Sequence, residues 1–274
     1  MKIKKLYTYE SKQHVWRILL TDADQFIIET RDIESKEVFF NCIDIETGKA
    51  VFKDYQLEEK YWVGIETIYK DVIFFHKYAK PDMPGHKEIF CFDIAAQKIL
   101  WKQDAYTFLF VYSDLVICAA NTFEGWHYYA LDYKTGEVVT DYGENAVQIN
   151  TLRNLAEDEK DYSLYKFPEK ITKEIIKKIE EETVIKDTLR SLDIIGDVEY
   201  TYYEDLFLMN YHYRTPGGVI QNKFTAVDLE KNKIIFNEIL NSEAKAFVPD
   251  TFFVHRNILI LLKERNQIII CRIE

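Results

Sequence analysis

Glycine and proline are scarce in this chain, 9 and 5 among 274 residues, which excludes collagen-like and low-complexity classes. Long apolar runs are missing too, since no stretch approaches the ~20 apolar residues of a membrane-spanning helix. Positive charge is in deficit: 35 Lys and Arg stand against 46 Asp and Glu, a formal net charge of −11. That balance argues against a phosphate-binding surface, because nucleic-acid affinity rests largely on Lys and Arg displacing counterions. Neither a nucleic-acid nor a membrane partner is expected. The segment from Met1 to Glu10 carries the basic residues of a secretion signal but turns acidic without an apolar core, so cytoplasmic residence is expected.

What is present is apolar and repetitive. With 47% hydrophobic and 15% aromatic residues, the chain has ample material for a core. Four times an apolar strand ends in an aspartate, Asp44, Asp93, Asp132 and Asp228, and turns at once into another apolar strand. The first three recur about every 40 to 50 residues, the period of a propeller blade, and the last interval is about twice that. The aspartates are read as turn caps, not as a ring of acidic ligands. Short polar turns at Asp24, Asp71, Asp114, Asp205 and Asn257 introduce five second strands, and Asp and Asn suit the left-handed backbone of tight hairpins.

The fold class expected is therefore all-β: a five-bladed β-propeller over residues 1–274 as a single domain, with blades near 14–57, 60–103, 106–142, 195–238 and 247–274. The fifth blade has no fourth strand of its own. Residues 3–10 are expected to supply it and so to cover an edge that would otherwise invite aggregation. Residues 144–194 break the alternation and are expected to be a helical insertion between blades three and four. Within it a helix is expected over 168–182, opened by Pro168 and docked through Ile171, Ile175, Ile176 and Ile179. Cys42 and Cys91 occupy matching places in different repeats, too far apart for a disulfide. They are read, with Cys118 and Cys271, as small buried hydrophobes.

The segments Asp44-Ile45-Glu46-Thr47-Gly48-Lys49 and Asp132-Tyr133-Lys134-Thr135-Gly136-Glu137 resemble the Asp-x-x-Thr-Gly-Lys turn of quinoprotein-like (PQQ-type) propeller repeats, and Trp101 resembles the tryptophan that ends the following strand there. The turns at Ala95-Ala96-Gln97-Lys98 and Glu230-Lys231-Asn232-Lys233 depart from it. The chain is also similar to an uncharacterised family of small cytoplasmic bacterial propellers. The resemblance implies the blade and not the cofactor, because the quinone-dependent dehydrogenases of that superfamily have larger rings, export signals and a calcium-bound cofactor. No cofactor is expected.

Five-bladed propellers also resemble the fold of several families of sugar-cleaving enzymes, which place carboxylates on inner strands around the axis. Glu66 and Glu199 are the acidic residues on the expected first strands. His76 and His212 occupy similar late positions on second strands of non-adjacent blades, so they are read as surface or loop-anchoring residues and no metal site is expected. Pro216-Gly217-Gly218 reads as a hairpin, and GxSxG and Cys–His signatures are missing. The aromatic runs Trp126 to Tyr129, Tyr200 to Tyr203 and Tyr211 to Tyr213 cannot all be buried on strands whose faces alternate, so some are expected on recognition surfaces. The function expected is a non-enzymatic binding or scaffold module for a protein partner or small ligand. The alternatives are a carbohydrate-active hydrolase using Glu66 and Glu199, and a propeller that self-associates through the insertion. The sequence assigns no oligomeric state.

Overall fold

The computed structural model describes residues 1–80, 83–123, 125–172 and 183–274. Among them, the contacts divide the chain into two compact units: Gln13–Asp161, and Met1–Lys12 together with Tyr162–Glu274. Both are built from antiparallel sheets, most of whose strands follow one another directly along the chain. The chain opens with β1 (Ile3–Glu10).

The unit of residues 13–161 holds three four-stranded sheets. The first comprises β2 (His14–Leu20), β3 (Gln25–Asp32), β4 (Glu37–Asp44) and β5 (Ala50–Tyr55), and the second β6 (Val63–Tyr69), β7 (Val72–Lys80), β8 (Met83–Asp93) and β9 (Lys98–Gln103). The third comprises β10 (Thr107–Tyr112), β11 (Leu115–Thr122), β12 (Gly125–Asp132) and β13 (Val138–Gly143), and is followed by helix α1 (Ala146–Asp158). Side chains alternate across a strand, and β7 shows the result. Ile73 and Phe75 join Ile27, Phe40 and Phe52 of the first sheet in one core cluster, while Val72 and Phe74 join Val116, Cys118 and Leu131 of the third in another. Helix α1 covers the third sheet: Ile149 and Ala156 are buried with Phe110, Ile117 and Ala130.

In the other unit the chain continues with β14 (Tyr165–Lys166), β15 (Glu169–Lys170), helix α2 (Thr183–Arg190), β16 (Asp193–Tyr203), β17 (Leu206–Arg214), β18 (Ile220–Asp228), β19 (Lys233–Asn241), β20 (Phe252–His255), β21 (Ile258–Lys263) and β22 (Gln267–Ile273). One sheet has the order β15-β16-β17-β18-β19 and the other β1-β22-β21-β20-β14. Residues 3–10 do pair with the last strand, in a register running from Ile3 opposite Ile273 to Glu10 opposite Gln267. Lys2 and Glu274 exchange two backbone hydrogen bonds at 2.8 and 2.9 Å.

Of the helix expected over 168–182, residues 173–182 lie outside the described residues, and its expected start is not helical. Pro168 does not open a helix: Glu169–Lys170 is extended and pairs with β16, and the Ile171 N–H donates to the Val198 carbonyl at 2.9 Å. A hydrogen-bond ladder was on offer at that sheet edge, and residues 169–171 take it. Ile171 packs beside Ile185 of α2, while Ile175, Ile176 and Ile179 lie outside the described residues.

The aspartate turns are caps, as expected. Asp44 Oδ1 accepts the Thr47 N–H at 2.7 Å, Asp93 the Ala96 N–H at 2.7 Å, Asp132 the Thr135 N–H at 2.8 Å and Asp228 the Lys231 N–H at 2.9 Å. The left-handed position holds Gly48 and Gly136 in the two turns that keep the motif, and Gln97 and Asn232 in the two that depart from it. At the hairpins before second strands the expectation holds at two of the five turns. Asp24 and Asp114 have positive φ, but elsewhere the strained residue is the one before the acid or amide: Lys70, Glu204 and Arg256. All four cysteines are buried and free, and burial pushes each thiol up to about 12.

Trp101 explains why the motif glycine is needed at 136. Its indole N–H donates to the Tyr133 carbonyl at 2.9 Å, and a Cβ on Gly136 would come within 2.5 Å of the ring, at φ +71. Gly136→Ala is therefore expected to cost about 2 kcal/mol or more, combining left-handed strain with overpacking. Gly143→Ala, also at positive φ but facing open space, is expected to cost about 1 kcal/mol; urea melts of both variants check the difference. Deleting residues 1–10 bares the edge of β22, and the shortened protein is expected to aggregate or melt well below the parent in light scattering and thermal scans.

Candidate functional site

Two constellations of titratable side chains stand out, one in each unit, and each contains one of the two expected glutamates. In the unit of residues 162–274, β16 carries an irregularity between Ile195 and Glu199. Gly196 permits it: its φ is +72, and a Cβ there would come within 2.7 Å of the Phe247 ring. The bulge turns Asp197 and Glu199 toward a cavity of about 410 Å³, lined also by Lys170, Gly196, His212, Phe247, Val248 and Pro249. Lys170 arrives there because β15 sets it opposite Glu199. Its Nζ lies 2.7 Å from Asp197, a bond that raises the lysine pKa.

Glu199 is buried and held from two sides. Asn210 Nδ2 donates to Oε2 at 3.1 Å, and the Asp250 N–H to Oε1 at 3.4 Å. Asn222 Nδ2 in turn donates to Asn210 Oδ1 at 2.8 Å, so a chain of amides fixes the carboxylate before any ligand arrives. His212 is buried as well, with Phe247 edge-on at 5.3 Å. Its Nε2 accepts the Val248 N–H at 3.2 Å, which assigns the neutral ring its proton at Nδ1. Burial lowers its pKa from the usual 6.5.

In the unit of residues 13–161, Glu66 lies at the irregularity in β6 between Ile65 and Thr67. Its Oε1 lies 2.8 Å from His86 Nδ1 and 3.1 Å from His76 Nδ1. The two imidazoles stack at 3.5 Å and 8°, and Tyr78 stands edge-on to both, at 5.0 and 5.5 Å. Burial works to raise the Glu66 pKa, but the contacts with His76 and His86 outweigh it and hold the carboxyl below its ordinary value. Ligand atoms of the three residues lie within 4.8 Å of one another, so this trio is the group among the described residues that could hold a metal.

The reading of His76 and His212 as surface or loop-anchoring residues holds in part: neither lies at the surface, at 2% and 4% exposed, but His212 does anchor the loop at Val248. His76 has Glu66 beside it through the pairing of first and second strands, and His212 has Asn222 beside it through the pairing of second and third. Glu66 and Glu199 belong to different compact units, and each has its own surroundings. Of the aromatic runs, Trp126 and Tyr202 are exposed while Tyr200 and Tyr211 are buried. Sequence reasoning missed Lys170, Gly196, Asp197, Phe247 and His86. An isolated glycine within a strand pattern signals a bulge, and that signal was available at Gly196.

A family model described as "Domain of unknown function (DUF4905)" matches residues 20–101. No curated protein matches the chain. Among solved structures, the chain is similar to a europium-containing methanol dehydrogenase at 13% identity and a TM-score of 0.34, covering 96% of this chain and 52% of that one. It is similar to a eukaryotic initiation factor at 8% identity and a TM-score of 0.36, covering 94% and 52%, and to KlHsv2 with loop 6CD replaced by a Gly-Ser linker at 10% identity and a TM-score of 0.31, covering 91% and 92%. The chain thus spans about half the length of the first two. At TM-scores below 0.5 these likenesses decide neither fold nor function. No helix among the described residues is long and apolar enough to cross a membrane.

The lowered pKa of His212 has a consequence for stability. Below pH 6.5, the ordinary value, the unfolded chain takes up a proton at this residue that the folded chain refuses, so its contribution to stability falls as the pH drops through that range. His212→Gln is expected to lose less stability than the parent between pH 7.5 and 5.5, as read by urea denaturation at each pH.

Proposed function

We propose that the protein is a non-enzymatic binding module, a five-bladed propeller of quinoprotein-like repeats, that recognises a small polar ligand in the cavity beside Glu199 and His212. The five antiparallel sheets, taken as blades with β1 completing the last, support the architecture. The observation that carries the function is the buried, doubly anchored Glu199 carboxylate facing a cavity of about 410 Å³. Ligand pockets typically join apolar walls to a few well-placed polar groups, and here Phe247, Val248 and Pro249 supply the walls.

Lys170 and Asp197 offset one another and the His212 ring is neutral at pH 7, so Glu199 leaves the lining negative. That selects a ligand with an amine or several hydroxyl donors over an anion. His212 spends its Nε2 lone pair on the Val248 N–H, which disfavours a role as general base and supports binding over the hydrolase alternative. A cytoplasmic setting fits this reading.

The test is ligand-observed NMR with a library of small amines, polyols and organic acids, repeated on Glu199→Gln. Amines or polyols are expected to bind, and loss of the charge-assisted hydrogen bond is expected to weaken them about tenfold or more. Binding confined to acids, or binding indifferent to Glu199→Gln, would refute the reading. Turnover of chromogenic glycosides, abolished by Glu199→Gln, would favour the hydrolase.

A further inference from the structure

We propose that Glu66, His76 and His86 form a binding site for one divalent transition-metal ion of the zinc class, in the unit that does not contain the ligand cavity. Two imidazoles and a carboxylate are the donor set that suits Zn²⁺ and its neighbours, whereas Mg²⁺ and Ca²⁺ prefer all-oxygen shells. Spacing agrees with this chemistry. Metal–nitrogen and metal–oxygen bonds of about 2.0–2.1 Å around a tetrahedron set donor atoms about 3.3 Å apart. The Glu66 Oε1 lies 3.1 and 2.8 Å from the two Nδ1 atoms, close to such an edge.

A second observation points the same way. His76 is 2% exposed; its Nε2 has no hydrogen-bond partner, and its Nδ1 has only the 3.1 Å approach of Glu66. Buried polar groups are nearly always paired, and a metal bond is the partner that this ring lacks. Its seat is shaped for it: a Cβ on Gly64 would meet the His76 ring at 3.0 Å. Arg31, whose guanidinium also approaches the Gly64 position, is matched by Glu29 at 2.7 Å and bound to the Val63 carbonyl at 2.7 Å. Its charge is therefore already balanced.

The stacked rings hold their nitrogen lone pairs parallel, so binding requires one of them to tilt. His86 is the mobile partner. Its side chain is 36% exposed, and it lies on β8 close to the hairpin tip, with Tyr78 opposite it in register. A tilt of that ring brings its nitrogen toward the ion beside that of His76 and leaves a coordination position facing water. Three protein ligands with an open fourth position is the pattern of sites that bind or activate a further molecule, in contrast with closed structural sites.

The test uses the full chain, stripped with chelator and dialysed, titrated with ZnCl₂ by calorimetry and with Co²⁺ followed by visible absorption. One ion per chain is expected, with Co²⁺ bands typical of nitrogen ligation. His86→Ala changes a partly exposed position, so its fold is expected to survive, as checked by circular dichroism. Its affinity is expected to fall by more than about 100-fold, since even outer-shell changes cost about 10–100-fold. His127→Ala, which removes the histidine paired with Asp141 elsewhere in the unit, is expected to bind like the parent. No stoichiometric uptake, or equal uptake by the parent, His86→Ala and Glu66→Gln, overturns the site.

Discussion

Burial of the second strand of each sheet on both faces is the constraint from which the rest of the structure follows. Phe26 to Ile28 in β3, Val72 to Phe75 in β7, Leu206 to Met209 in β17 and Leu259 to Leu261 in β21 are all at most 1% exposed. A strand of this kind cannot belong to a sheet with one wet face. Burying one such Ile, Leu or Phe is worth about 1.5–3 kcal/mol, so each sheet needs cover on both sides. In the unit of residues 13–161 neighbouring sheets provide it for the second sheet, through Phe40 and Phe75 on one side and Phe74 and Val116 on the other.

Cover is also needed where the regular repeat is interrupted. Helix α1 meets it on the third sheet with Ile149 and Ala156. In the other unit α2 meets it with Ile185 against Phe207, Met209 and Tyr211. The short strands β14 and β15 add to the edges of two sheets there, and β1 does the same beside β22. Unpaired backbone groups at a sheet edge are costly or hazardous, and this favours extended backbone at Glu169–Lys170 over the helix that local spacing suggests.

The polar chemistry sits in the later halves of these same strands. Glu29 and Arg31 in β3, His76 in β7, and Asn210 and His212 in β17 are all buried, just beyond the apolar run. Partners come from neighbouring strands or from within the strand: Glu29 with Arg31, Glu66 beside His76, Glu199 with Asn210. The apolar halves supply stability and the polar halves supply sites. This division keeps a deep carboxylate such as Glu199 within reach of fixed donors without opening the core to water.

The strands of the repeats and the aspartate turns were legible because each rests on local physics, whereas β14 and β15 were not. Apolar runs of strand length marked β3, β7, β17 and β21; an aspartate ahead of a tight turn marked Asp44, Asp93, Asp132 and Asp228 as caps; and residues 3–10 were the strand the last sheet lacked. The sites were legible only as separate residues, Glu66, Glu199, His76 and His212. Which of them meet was decided by the irregularities in β6 and β16, by the return of residues 165–170 to the sheet edges, and by the hairpin that stacks His86 on His76. Sequence by itself determined the repeat strands and the aspartate turns, because those depend on neighbours a few residues away. Tertiary structure alone decided the cavity and the histidine pair, because register, bulges and edge pairing depend on residues ten or more positions apart.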